Sequence, residues 1–113
     1  MAIYKILSVI QWKEAQAAGV FRGAPVDLAD GFIHFSTAAQ VEETARKHFK
    51  GQDELLLATI DETRLGDSLR YEPSRGGQLF PHLYEPMALS AVTQIVPLPI
   101  ATDGYHRFEG LLN

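Results

Sequence analysis

Residues 54–61 read Glu54-Leu-Leu-Leu-Ala-Thr-Ile-Asp61. The continuous apolar centre between two acids is the pattern of a strand buried on both faces. Two helical segments precede it. Upstream, Thr37-Ala-Ala-Gln40 has capping-box spacing and predicts a helix beginning there and ending at Gly51. Val41, Ala45 and Phe49 form its apolar stripe, and its acids come before its bases, as the helix dipole prefers. Phe32 to Phe35 reads as a short strand, and residues 19–31 as a loop of turn formers. Ser8 and Gln11 repeat the capping-box spacing, predicting a helix from Val9 that Gly19 stops, after a strand over Ile3 to Leu7.

Downstream only strands are expected. Leu69 to Glu72 alternates as a half-buried strand, and Pro73 to Gly77 is a loop. Gln78 to Tyr84 is extended, with Pro81 placing it at an edge or bulge, and Leu89 to Leu98 is the last strand. The tail keeps Tyr105, Phe108, Leu111 and Leu112, which can pack back onto the body. Two helices in the N-terminal half serving about six short strands indicate an α+β fold in a single domain over residues 1–113.

Composition excludes several function classes. The chain has 113 residues and no cysteine, so disulfides, thiolate zinc sites and a cysteine nucleophile are ruled out. A net charge of −4 argues against general nucleic-acid binding and leaves room for a small anionic or nucleotide ligand. No apolar run approaches the roughly 20 residues of a membrane span, and the N-terminus lacks the features of a signal peptide. The expectation is a soluble, cytoplasmic protein of unspecified oligomeric state.

Histidines carry the chemical interest. His34 and His82 each lie in a strand-like run between large apolar side chains, as satisfied core residues or as oriented functional groups. Ser36 stands two beyond His34 and shares its face. Thr37 opens the following helix, whose free N–H groups favour an anion, although capping alone also explains it. Arg75, beside Gly76 and Gly77, can clamp a phosphate or carboxylate or belong to a solvated loop. Tyr84 shares the face of His82 and can stack on a flat ring or be core. His48 suits its helix C-terminus without any function, and His106 is assigned none. There is no dinucleotide fingerprint, P-loop or nucleophile elbow. His34-Phe-Ser36 matches half of a two-histidine phosphoesterase, but His82-Leu-Tyr84 does not complete it. His34 and His82 with Asp30 or Glu72 make no strong metal-ligand spacing, so no metal is expected.

Asp30-Gly-Phe-Ile-His-Phe-Ser-Thr37, Thr44-Ala45, Leu69-Arg-Tyr-Glu-Pro-Ser-Arg-Gly-Gly77 and Phe80-Pro-His-Leu-Tyr84 together resemble the small bacterial proteins grouped as domain of unknown function 952, from Tyr4 to about Leu98. That family is in turn distantly similar to the two-histidine branch of the ADP-ribosyltransferase fold. The second resemblance implies a split β-sandwich that grips NAD. His34 would hold a ribose with Ser36 beside it, His82 would face the nicotinamide or its ribose, Tyr84 would stack and Arg75 would meet a phosphate. The late catalytic glutamate of many such transferases has no counterpart in Leu89 to Leu98, and Glu85 and Glu109 are not obviously placed for it. The implied function is an NAD- or nucleotide-binding domain of transferase type. The alternatives are a non-catalytic binding module and a metal-dependent or two-histidine phosphoesterase.

Overall fold

The computed structural model describes residues 1–112, the side chain of Arg75 excepted. The 54–61 run becomes β4 (Leu55–Asp61), the middle of an antiparallel sheet between β1 (Ala2–Ser8) and β8 (Val92–Pro97). Both faces of this sheet are covered. Ile3, Leu7 and Ile60 pack towards α1 (Val9–Ala18), whereas Tyr4, Ile6 and Leu57 pack against α3 (Val41–His48) and the C-terminal Phe108. Leu57 and Ile60 are fully buried, so truncating either to alanine is expected to cost about 2–5 kcal/mol.

The second antiparallel sheet is made of β3 (Ile33–His34), β6 (Leu79–Leu83) and β5 (Leu69–Pro73), with β6 in the centre. β2 (Val20–Phe21) and β7 (Met87–Ala88) form a small third pair. Backbone bonds join the two larger sheets: Tyr4 N–H donates to Ser36 O at 2.7 Å, and Ser36 N–H returns to Tyr4 O at 2.9 Å. The class is α+β, as expected, although the described residues form eight strands and three α-helices instead of about six and two.

The extra helix, α2 (Pro25–Asp30), lies where residues 19–31 were expected to be loop. Pro25 sits at its first positions with φ already helical, Asp27 in its first turn accepts from Ala24 N–H at 2.7 Å, and Gly31 closes it at φ +86°. α1 follows expectation: Ser8 Oγ accepts from Gln11 N–H, Gln11 Oε1 accepts from Ser8 N–H, and Gly19 caps the end.

At α3 only half of the expected box forms. Gln40 Oε1 accepts from Thr37 N–H at 3.1 Å, a turn intervenes, and Gln40 itself is the cap of a helix that begins at Val41. Gln40 Nε2 also donates to Leu79 O at 2.8 Å, tying the helix start to β6. Pro81 stands in a central strand and not at an edge. Its carbonyl accepts from Phe35 N–H at 3.0 Å, so its nitrogen also faces Phe35; the return bond to Phe35 O cannot form, and the β3 ladder ends at His34. Leu89 to Leu98 is not one strand: Leu89–Ala91 make a tight 3₁₀ turn, and β8 starts at Val92.

Candidate functional site

Strand register assembles the site. His34 is paired with His82 across β3–β6, and His82 with Arg70 across β6–β5, so the three side chains stand in one row on one face. Residues two along the chain share that face, which adds Phe32, Glu72 and Tyr84. The His34 and His82 rings lie 5.5 Å apart, edge to face. Phe32 packs against both at 4.6 and 4.1 Å and against Tyr84 at 5.2 Å, and the Arg70 guanidinium lies over the Tyr84 ring.

Each histidine is oriented by carboxylates. His82 Nδ1 is 2.8 Å from Glu72 Oε1, and the Tyr84 hydroxyl donates to the same oxygen at 2.6 Å. A carboxylate oxygen only accepts, so the proton sits on Nδ1, and in the neutral ring Nε2 is a lone pair. Nε2 has no partner among the described residues. The hydroxyl of Tyr84 and the His82 ring hold the Glu72 carboxyl below its ordinary range, and Glu72 in turn pushes the Tyr84 phenol up.

His34 Nδ1 is 2.7 Å from Asp27 Oδ1, while Nε2 faces the half-exposed Asp30 Oδ2 at 3.0 Å. These contacts cast His34 as a donor and His82 as the acceptor of the pair.

Asp27 is the anchor. It is 2 % exposed and accepts from Ala24 N–H, His34 N–H, His34 Nδ1 and Lys5 Nζ, the last at 3.1 Å. Burial on its own would raise this carboxyl, but the His34 bond, the Lys5 charge and the two backbone N–H groups outweigh it and bring it down to about 2. Lys5 alternates with Ile3 and Leu7 on a buried strand face and has room because its cross-strand partner is Ala58. Burial lowers its ammonium, and Asp27 opposes that. The loop passes close above: a Cβ on Gly23, at φ +126°, would stand 2.8 Å from Asp27 Cβ, so only glycine fits.

These groups open on a cleft of about 720 Å³, within the range of small-molecule sites. His34, His82, Ser36 and Lys5 line it, with Thr44 and His48 from α3. Thr44 Oγ1 donates to Gln40 O at 3.1 Å, so at the 3.0 Å contact the Ser36 hydroxyl donates to Thr44 and keeps its lone pairs for a ligand.

The sequence-predicted residues therefore fall in different places. His34, His82 and Ser36 share the cleft. Tyr84, 44 % exposed, stands at the outer end of the Phe32 stack, and Thr37 precedes the α3 turn without lining the cleft. The Arg75 side chain lies outside the described residues, although its neighbour Ser74 lines the cleft. His48 lines the cleft, and His106 is buried with Nε2 on Gln52 O at 2.7 Å.

Lys5, Asp27 and Phe32 went unforeseen. A lysine on the apolar side of a buried strand was the available signal for the first, and an acid in the first turn behind Pro25 for the second. The metal grouping of both histidines with Asp30 or Glu72 does not form: Asp30 goes to His34 and Glu72 to His82, and no three such ligands converge among the described residues.

A family profile described as protein of unknown function, DUF952, matches residues 6–95. The crystal structure of protein CC0527 from Caulobacter crescentus is similar, at 48 % identity over 96 % of this chain and 96 % of that chain with a TM-score of 0.93. Its solution NMR structure matches at 48 % identity over 98 % and 96 %, with a TM-score of 0.87. No curated protein matches the chain. Neither the matched family nor these structures is described as an ADP-ribosyltransferase.

Proposed function

The chain belongs to the DUF952 family of proteins of unknown function, and from its own side chains we propose that it binds a nucleotide of NAD type and transfers its ADP-ribosyl group. The observation that carries this reading is the direct pairing of His34 and His82, rings 5.5 Å apart and each oriented by a carboxylate, in one cleft.

The chemistry fits that pair. The C1′–N bond to nicotinamide breaks, its electron pair goes to the ring nitrogen and neutralises the pyridinium, and the ribose becomes an oxocarbenium ion. An acceptor hydroxyl or amine then bonds to C1′ and gives its proton to His82 Nε2. Asp30 and Glu72 place negative charge beside the two rings, the charge of Asp27 being offset by Lys5, and this favours a cationic transition state. A ribose hydroxyl can take the place of the half-exposed Asp30 at His34 Nε2, and Ser36 can accept from a second. Phe32 packs against both imidazoles and holds the two rings in place from the side.

A phosphoester hydrolase is favoured less. Among the described residues Lys5 is the only lysine or arginine lining the cleft, and Asp27 already holds it.

The test is titration of isotope-labelled protein with NAD, followed by assay of nicotinamide release. The reading predicts saturable shifts of the amides of residues 32–37 and 79–84 and release that His82→Ala abolishes. Shifts without release would leave a binding module and overturn the transfer step. No response at millimolar NAD would overturn the whole reading.

A further inference from the structure

We propose that Tyr84 is a positioning residue for His82: its hydroxyl fixes the Glu72 carboxylate, and through it the tautomer that keeps the His82 Nε2 lone pair for the cleft. This role rests on the transfer reading above for its purpose, since there the lone pair takes the acceptor's proton. For its geometry it rests on contacts alone.

From the sequence, Tyr84 is expected to stack on a flat ring or to be core, and the structure places it otherwise. Tyr84 is 44 % exposed and does not line the cleft, whereas His82 does. Its N–H donates to Ser68 O at 3.0 Å, which continues the β5–β6 ladder past Leu83. In that register Glu72 stands opposite Phe80 and Arg70 opposite His82. The Tyr84 side chain therefore leans back along the strand, past Arg70, to meet Glu72. The Arg70 guanidinium lies 5.4 Å from the Tyr84 ring centroid and supports that lean.

The Tyr84 hydroxyl donates to Glu72 Oε1 at 2.6 Å, and His82 Nδ1 meets the same oxygen at 2.8 Å. Among the described residues Glu72 Oε2 has no hydrogen-bond partner. The Glu72 side chain is one-third exposed, so packing does not fix its carboxylate and these two donors do. Of the two, the Tyr84 hydroxyl does more to hold the carboxyl in its ionised form. An ionised carboxylate only accepts, so it keeps the proton of the neutral ring on Nδ1. Without the hydroxyl, Glu72 would be held only by the ring whose tautomer it has to set. His34 on β3 and Arg70 on β5 also face that ring, and neither hydrogen-bonds to it.

Tyr84→Phe keeps the aromatic ring and removes only the hydroxyl, at a half-exposed position where the chain should still fold. Long-range ¹H–¹⁵N spectra of the free full-length protein at about pH 8 read the His82 tautomer. Wild type should show the Nδ1–H form alone, and Tyr84→Phe should add a distinct Nε2–H form. In the nicotinamide-release assay kcat should fall about tenfold, the size expected when one hydrogen bond to a charged group is lost, with KM for NAD little changed. A Tyr84→Phe protein that keeps His82 wholly Nδ1–H, as a purely stacking ring predicts, would overturn the role. A raised KM with unchanged kcat would put the hydroxyl on the ligand and overturn it too. Mixed tautomers in the variant, with no nicotinamide release from wild type, would support the positioning role and overturn the transfer reading instead.

Discussion

Replacing Asp27 with asparagine keeps the side-chain shape and removes its charge. Holding the carboxyl at about 2 instead of its ordinary 3.8 stabilises the folded state by about 2.4 kcal/mol at neutral pH, at about 1.36 kcal/mol per pH unit. Stranding a buried charge such as Lys5 sets a higher bound, about 3–5 kcal/mol. Asparagine keeps an oxygen for the Lys5 ammonium, so Asp27→Asn is expected to lose about 2–4 kcal/mol. For a chain of this size that lowers Tm by about 8–16 °C. Urea unfolding followed by fluorescence of Trp12, which packs on the first core cluster, reads the change. The folded carboxyl titrates below the unfolded one. Its contribution is therefore complete above about pH 4 and disappears as the pH falls towards 2, so wild type and variant should converge in acid. Adding Lys5→Met should restore part of the loss, because an apolar side chain needs no counter-charge. A loss under about 1 kcal/mol, or a gap between wild type and variant that stays constant from pH 7 to 2, would refute the assignment of Asp27 as the buried anchor.

Gly23→Ala adds a Cβ at φ +126° and 2.8 Å from Asp27 Cβ, and is expected to cost about 1–3 kcal/mol in thermal unfolding; a neutral result would mean that the loop relaxes freely. In long-range ¹H–¹⁵N spectra His82 should show the neutral Nδ1–H form, and Glu72→Gln should allow the other tautomer to appear. An Nε2–H ring in the wild type would contradict the Glu72 contact. Ser8→Ala removes one half of the α1 capping box and should lower stability by about 1 kcal/mol, measured by denaturant titration.

Local rules carried most of the fold. The apolar run at 55–60 placed the central strand, and Ser8 with Gln11 placed the start of α1, because both signals lie within a few residues of what they determine. Pro81 misled because the cost of a proline depends on which neighbour its nitrogen faces, and that neighbour, Phe35 just past β3, lies far upstream in the chain. α2 was hidden among turn formers, since Asp27 and Asp30 favour turns and helix first turns alike. The same ambiguity hid the site's anchor. His34 and His82 stood out by their apolar surroundings, but their direct pairing depends on a cross-strand register that neither segment encodes alone. Lys5 reads as a surface charge until Ala58 opposite it is seen to leave room for burial.

The most direct measurement is of the two imidazoles themselves while NAD is added. If His34 and His82 form one site, both ring resonances shift along a single saturation curve with one dissociation constant, and His34→Ala removes the response at His82. Separate curves, or a response at one ring only, would contradict the shared site.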